Sequence, residues 1–285
     1  MARKWGQHFL KRPSVAERIL ETAGAEAGIP VWEIGPGPGM LTAALRERGA
    51  RVLAVEVDPE LAAELRERFR GDEGFRLIEG DVLALSLDVL EEWESGPWKV
   101  VANLPYNIST PLFFRMLAER RRWQSLTLMV QWEVAERLCA GPDDGKAYGV
   151  LALAAELGFE RRIAFKVPPE AFQPPPKVES AVVHLVPVES GLSNEEETQF
   201  LGWIRCLFQQ RRKTLFRNLK RCSPEWVQQA GAALQDTVKM RRPEDLSYAE
   251  WRELFAWYCA ENSPQRPQRS QRKKRTQSSV SSVVD

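Results

Sequence analysis

The stretch VWEIGPGPGM, residues 31–40, decides the fold: a short apolar run closes on three glycines and gives way to a helical pattern. Gly35, Gly37 and Gly39 let the backbone turn sharply and approach a ligand closely. Such a loop can serve a dinucleotide, a flavin or S-adenosylmethionine. The spacing is G-x-G-x-G, not the G-x-G-x-x-G of dinucleotide folds. Pro36 and Pro38 also remove two backbone donors, which speaks against a pyrophosphate cradle. S-adenosylmethionine carries no phosphate and needs no such donors.

Outward from this loop, strand-like and helix-like runs alternate. RVLAVEVD (51–58), FRLIEGD (75–81), KVVANLP (99–105) and SLTLMVQ (125–131) are short and rich in Val, Leu and Ile, with helical patterns such as MLTAALRERG and PELAAELRERF between them. This alternation predicts an α/β fold with a parallel sheet covered on both faces. RRIAFKVP (161–168) and ESAVVHLVP (179–187) are joined by a proline-rich loop alone, which predicts an antiparallel pair at one edge. After about residue 190 only helical periodicity remains, up to Ala260, broken at Pro224 and Pro243. The tail from 261 is polar and basic and reads as disordered.

The strand ends carry the chemistry. Glu56 closes its strand twenty-one positions after Gly35, where an acid can accept both ribose hydroxyls. Asp81 closes the next and can accept from an adenine amine. Asn103, in NLPYNIST (103–110), closes another. Alone, each acid reads as a helix cap or a solvated turn. In register on one edge, where ligands of such sheets bind, they read as a site. Asp58 precedes Pro59 and is as readily the cap of the helix there.

Asn103 and its neighbours suit one reaction. An adenine exocyclic amine is a poor nucleophile because its lone pair is delocalised into the ring. The Asn103 side-chain oxygen and the Leu104 carbonyl can accept its hydrogens and favour a tetrahedral nitrogen. Pro105 fixes the backbone, and Tyr106 can stack on the base. No general base is needed before methyl transfer, which suits a chain whose two histidines are His8 and His184.

Bulk properties bound the reading. The chain has 285 residues, 44% hydrophobic and 28% charged, as in a soluble globular protein of one large or two modest domains. No apolar stretch predicts a membrane span and no apolar signal region opens the chain, which places it in the cytoplasm, or in an organelle matrix if a transit segment has been lost. Cys139, Cys206, Cys222 and Cys259 form no CxxC pair, so four reduced thiols and no metal site are expected. The net charge of +1 is uneven: residues 261–285 hold six Lys/Arg against two acids, leaving the body at −3. A basic run, RCLFQQRRKTLFRNLKR (205–221), is therefore conspicuous. Arg211, Arg212 and Lys213 within it are candidate phosphate contacts, with Arg120, Arg121 and Arg122 as a second patch.

Taken together, EIGPGPGMLT, NLPYNIST and KWGQHFL (4–10) resemble the ribosomal RNA adenine dimethyltransferase family, and within it the type that acts on small-subunit RNA. QWEVAERL (131–138), GKAYGVLAL (145–153), VPPEAFQPPPKVESAVV (167–183), RRKTLFRNL (211–219) and RPEDLS (242–247) agree, so the resemblance spans residues 3–257. It implies a class I methyltransferase domain over 1–190, with a Rossmann-like, mostly parallel seven-stranded sheet. It implies a helical, RNA-contacting domain over 191–260, followed by the tail. It implies transfer of two methyls from S-adenosylmethionine to N6 of each of two adjacent adenosines near the 3′ end of small-subunit rRNA, with a role in subunit biogenesis. The family's cofactor positions fall on His8, Leu10, Gly35, Gly37, Glu56, Asp81 and Asn103. His8 stands where some relatives have Asn. The target-base pocket falls on Asn103, Leu104, Pro105, Tyr106 and Phe172. The expected partner is the small ribosomal subunit, met by a monomer. The alternatives are a large-subunit rRNA methyltransferase of the antibiotic-resistance type and a non-catalytic assembly factor. The FQPPPKVES and RPEDLS stretches favour the small-subunit type.

Overall fold

A computed structural model describes residues 7–262. Strand β1 (Phe9–Leu10) and helix α1 (Pro13–Ala23) lead into β2 (Pro30–Ile34), α2 (Met40–Glu47), β3 (Arg51–Glu56), α3 (Pro59–Arg68), β4 (Phe75–Glu79) and α4 (Asp88–Trp93). Then come β5 (Trp98–Asn103), α5 (Ser109–Ala118), β6 (Trp123–Gln131), α6 (Trp132–Cys139), α7 (Val150–Gly158), β7 (Phe159–Val167), β8 (Phe172–Gln173) and β9 (Ser180–Pro187). Four helices follow: α8 (Asn194–Leu207), α9 (Leu215–Cys222), α10 (Pro224–Val238) and α11 (Tyr248–Asn262).

Seven strands form one sheet in the order β4-β3-β2-β5-β6-β9-β7. The first five are parallel, and β9 pairs antiparallel with both β6 and β7. The expected antiparallel edge is therefore present. The strand order reverses at β2, whose neighbours are β3 and β5, so the crevice lies at the carboxyl ends of these strands.

The parallel strands read as continuous apolar runs because both faces are covered. Trp32, Ile34, Leu53, Val100 and Ala102 face the layer that holds Leu112, Phe113 and Met116 of α5. Val31, Val52, Ala54 and Val101 face Ile19 and Leu20 of α1. Burying one such side chain contributes roughly 1.5–3 kcal/mol. Helix α1 starts on Pro13, whose fixed φ suits the first helical position, and stops at Gly24 in a left-handed conformation.

The C-terminal helices share a third cluster with the α6–α7 region: Tyr148, Leu153 and Leu157 pack with Phe200, Trp203, Trp226 and Trp251. Ser193 and Glu196 form a reciprocal capping box at the start of α8.

Two expectations change here. Cys206 and Cys222 form a disulfide. They lie 16 residues apart, but α8 and α9 pack side by side and bring their Cα atoms to 6.0 Å, within bridging range. Cys139 and Cys259 are free. Arg120 and Arg122 of the second basic patch are engaged in ion pairs within the protein. Arg120, 4% exposed, makes a bidentate ion pair with Glu197 of α8, which also accepts from the Ser190 hydroxyl. Arg122 is held by Glu119 at 2.9 Å and by Glu91, while Arg121 is exposed, 3.5 Å from Glu189. The tail beyond Asn262 lies outside the described residues; Glu261 and Asn262 close α11.

The Arg120–Glu197 pair joins the sheet domain to the helices, and a buried carboxylate without its cation is costly. Arg120→Ala is expected to lower unfolding free energy by about 3–5 kcal/mol in urea titrations, and the apolar pair Arg120→Met with Glu197→Leu to recover most of it. A loss under about 1 kcal/mol in the single variant would contradict this reading.

Candidate active site

A cavity of about 220 Å³ opens at the carboxyl ends of β2, β3 and β5. Its lining includes His8, Gly35, Gly37, Glu56, Asp81, Asn103, Leu104, Pro105 and Tyr106.

Glu56 ends β3 and is 3% exposed. Its Oε2 accepts from the Gly37 amide at 3.0 Å, and its Oε1 accepts from the Val57 and Asp58 amides, each at 3.0 Å. These three donors hold the carboxylate, and no cation pairs with it among the described residues. Each carboxylate oxygen retains acceptor capacity for a ligand hydroxyl. Gly37 has φ 58°, and a Cβ there would stand 2.9 Å from the Phe9 ring, so only glycine lets the loop fold onto both Glu56 and the N-terminal arm. Asp58 is the cap of α3, its Oδ1 accepting from the Glu60 amide at 3.0 Å.

Asp81 is exposed at the cavity; its Oδ1 accepts from the Leu83 amide at 2.8 Å, leaving Oδ2 toward ligand. Arg115 of α5 binds the Val82 and Leu85 carbonyls and so holds the Asp81 loop.

Asn103 Nδ2 donates to the His8 carbonyl at 3.1 Å. That contact orients the amide and leaves Oδ1 as its acceptor for a ligand. The Leu104 N–H donates to the Met129 carbonyl at 3.0 Å, extending the β5–β6 ladder, whereas the Leu104 carbonyl accepts no hydrogen bond among the described residues. Two acceptors thus stand side by side at the end of one strand. Tyr106 is half-buried, its hydroxyl 3.2 Å from Ser180 Oγ, and burial raises the pKa of the phenol.

The N-terminal arm reaches the site through a two-stranded ladder that the sequence did not announce. Phe9 pairs with Gln173 and Leu10 with Phe172. His8 Nδ1 lies 2.8 Å from the Pro174 carbonyl, which can only accept, so Nδ1 carries the proton. The His8 ring sits 5.6 Å from Tyr106, tilted by 30°.

Three expected site residues are placed elsewhere. Phe172 is 1% exposed and packs with Leu10, Val15 and Val182, so the ring expected against the target base is a core anchor. Leu10 belongs to the same cluster and its side chain does not line the cavity. Arg211 is engaged by Glu244 at 2.9 Å and by the carbonyls of Lys146, Gly145 and Tyr148 at 2.8–3.1 Å. It joins α9's approach to the 145–148 loop, with four of its five N–H donors engaged within the protein. Arg212 and Lys213 are exposed, as are Arg217 and Lys220 on α9.

Glu33 of β2 was not singled out from sequence. It is fully buried on the α1 face of the sheet; Thr42 donates to its Oε2 at 2.7 Å, and Oε1 has no partner among the described residues. Burial, with the charge of nearby Glu56, pushes its pKa up to about 8. An unfolded glutamate titrates near 4.5. Between those values the native state holds more protons, so stability from this group is complete below about pH 4.5 and is lost as pH rises through 8. Glu33→Gln keeps the shape and cannot ionise. Its unfolding midpoint is expected to fall less than that of the parent between pH 6 and 9; parallel curves would contradict the assignment.

The site's residues fit S-adenosylmethionine. A buried carboxylate held by three amides among the described residues could accept from ribose hydroxyls, and the exposed Asp81 carboxylate could accept from an adenine amine. The turn at Gly35 and Gly37 gives close approach without a phosphate cradle. Comparison with known proteins agrees. The family model described as ribosomal RNA adenine dimethylase matches residues 1–259. The chain is 44% identical over 233 residues to the ribosomal RNA small subunit methyltransferase A of Magnetococcus marinus, covering 80% of this chain and 83% of that one. Among solved structures, a dimethyladenosine transferase from Plasmodium falciparum superposes with a TM-score of 0.74 at 26% identity, over 89% of this chain and 98% of that one. A 23S rRNA methyltransferase, ErmE, gives 0.68 at 27% identity, over 87% and 98%.

Proposed function

The chain belongs to the ribosomal RNA adenine dimethylase family, and from that premise we propose that it places two methyls on N6 of each of two adjacent adenosines near the 3′ end of small-subunit rRNA. The single observation that carries this reading is the pair of acceptors, Asn103 Oδ1 and the Leu104 carbonyl, beside the Glu56 carboxylate in one cavity. The small-subunit target is supported by the 44% identity to a relative named for that substrate.

S-adenosylmethionine, when bound, supplies a sulfonium methyl. Glu56 would hold its ribose, Asp81 its adenine, and the Gly35–Gly37 turn the rest. The chain's own work is on the RNA base. Tyr106 offers a ring face to an unstacked adenine. In the first transfer Asn103 Oδ1 and the Leu104 carbonyl accept the two N6 hydrogens, and in the second one of them accepts the single hydrogen that remains, drawing the lone pair out of conjugation and toward the methyl. Proton loss follows transfer, so the pocket needs no base. The rate enhancement comes from positioning and from acceptors fixed in advance. Arg212 and Lys213 lie outside the catalytic cavity and are free to bind phosphate, which fixes register without reading sequence. This protein would act in the cytoplasm, as a monomer, on a subunit during its biogenesis.

The test supplies labelled S-adenosylmethionine to small subunits lacking dimethyladenosine, with large subunits in parallel. Dimethyladenosine in small-subunit rRNA is expected. Label confined to large subunits would overturn the target, and subunit binding without label would overturn the chemistry. Asn103→Ala is expected to lower turnover by at least about 100-fold while cofactor binding stays measurable; full turnover would remove the amine-polarising role. Replacing Arg212 and Lys213 by Ala is expected to flatten the salt dependence of RNA binding by about one unit of slope per residue. An unchanged slope would make them ordinary solvated cations.

A further inference from the structure

Ser180 is the first residue of β9, and nothing in the reaction as written uses it. It is 2% exposed. Its backbone sits in the ladder between Gln131 of β6 and Val167 of β7, flanked by strands on both sides. Its side-chain oxygen lies 3.2 Å from the Tyr106 hydroxyl. Tyr106, by contrast, stands on the turn between β5 and α5, where backbone alone leaves a side chain free to rotate. The contact therefore ties a loop-borne ring to a strand paired on both sides, 74 residues away in sequence.

We propose that Ser180 is a positioning residue for methyl transfer: its hydroxyl holds the Tyr106 phenol so that the ring faces the target adenine beside Asn103. The inference rests on the functional reading above. Three observations support it. A buried hydroxyl without a partner is costly, so each of the two groups holds the other in place. The phenol is neutral, burial raising its pKa further above the ordinary value, and a neutral phenol can donate to Ser180 or accept from it. The second ring at the cavity, His8, is pinned separately to the Pro174 carbonyl at 2.8 Å, so Tyr106 has no other side-chain hydrogen bond holding it among the described residues. With Phe172 buried in the core, Tyr106 is the cavity-lining ring that follows Asn103 and Leu104 directly in the chain.

The experiment measures kcat and KM for small subunits, and Kd for S-adenosylmethionine, in the full-length parent, Ser180→Ala, Tyr106→Phe and the double variant. Tyr106→Phe keeps the ring and removes only the pin. Each single variant is expected to lower kcat about five- to thirty-fold, with KM for subunits and cofactor Kd within about twofold of the parent. The double variant is expected to lose no more than either single. Activity of the parent keeps the test separate from the functional reading, because an inactive parent overturns that reading and not the pin alone. Parental kcat in Ser180→Ala overturns the proposal. So do losses that multiply in the double variant, which would mean the two residues act independently. A fall in cofactor affinity and melting temperature that accounts for the lost activity of Ser180→Ala overturns it as well, since it would make the residue a structural one.

Discussion

Three backbone amides converge on the Glu56 carboxylate, and the arrangement of the site follows from that convergence. The Gly37 amide can reach Oε2 because the glycine loop turns through a left-handed residue. The Val57 and Asp58 amides reach Oε1 because β3 ends there and α3 begins under the Asp58 cap. Among the described residues the carboxylate is held without a cation, so a ligand's hydroxyls would meet an acceptor already in place. A salt bridge at this position would have occupied the same lone pairs.

The Asn103 side uses a different device with the same consequence. An amide has a donor end and an acceptor end, and free rotation would present either. The His8 carbonyl takes the donor end. His8 is placed by the pairing of Phe9 and Leu10 with the 172–173 segment and by its own ring contact with the Pro174 carbonyl. A two-residue ladder between distant pieces of chain therefore sets the chemistry of the strand end. The helical region is joined to this framework at two arginines, Arg120 with Glu197 of α8 and Arg211 with the carbonyls of the 145–148 loop. Those contacts set how far the exposed cations near α9 stand from the cavity.

Much of this was legible in the sequence. Doubly covered strands are written as apolar runs, and glycine, acid and amide at successive strand ends mark the edge where ligands bind. What was not legible depends on packing between distant segments. Phe172 reads equally as a base-stacking ring or a core anchor, and only its partners Leu10 and Val182 decide for the core. Arg211 reads as part of a basic run until the 145–148 carbonyls are seen to surround it. Cys206 and Cys222 read as unrelated thiols until α8 and α9 lie side by side. Glu33 looks like one more polar residue beside a glycine loop, although the strand alternation that buries it was visible.

The central claim is that Glu56 both holds the glycine loop and receives the cofactor ribose, and calorimetric titration of S-adenosylmethionine against the parent and Glu56→Gln tests it directly. Glutamine keeps the size but lacks the charge, and its amide nitrogen cannot accept. The account predicts that affinity falls tenfold or more, in line with the loss of about 1.5–3 kcal/mol for a hydrogen bond to a charged group, in a variant that still unfolds cooperatively. Parental affinity in Glu56→Gln would contradict it.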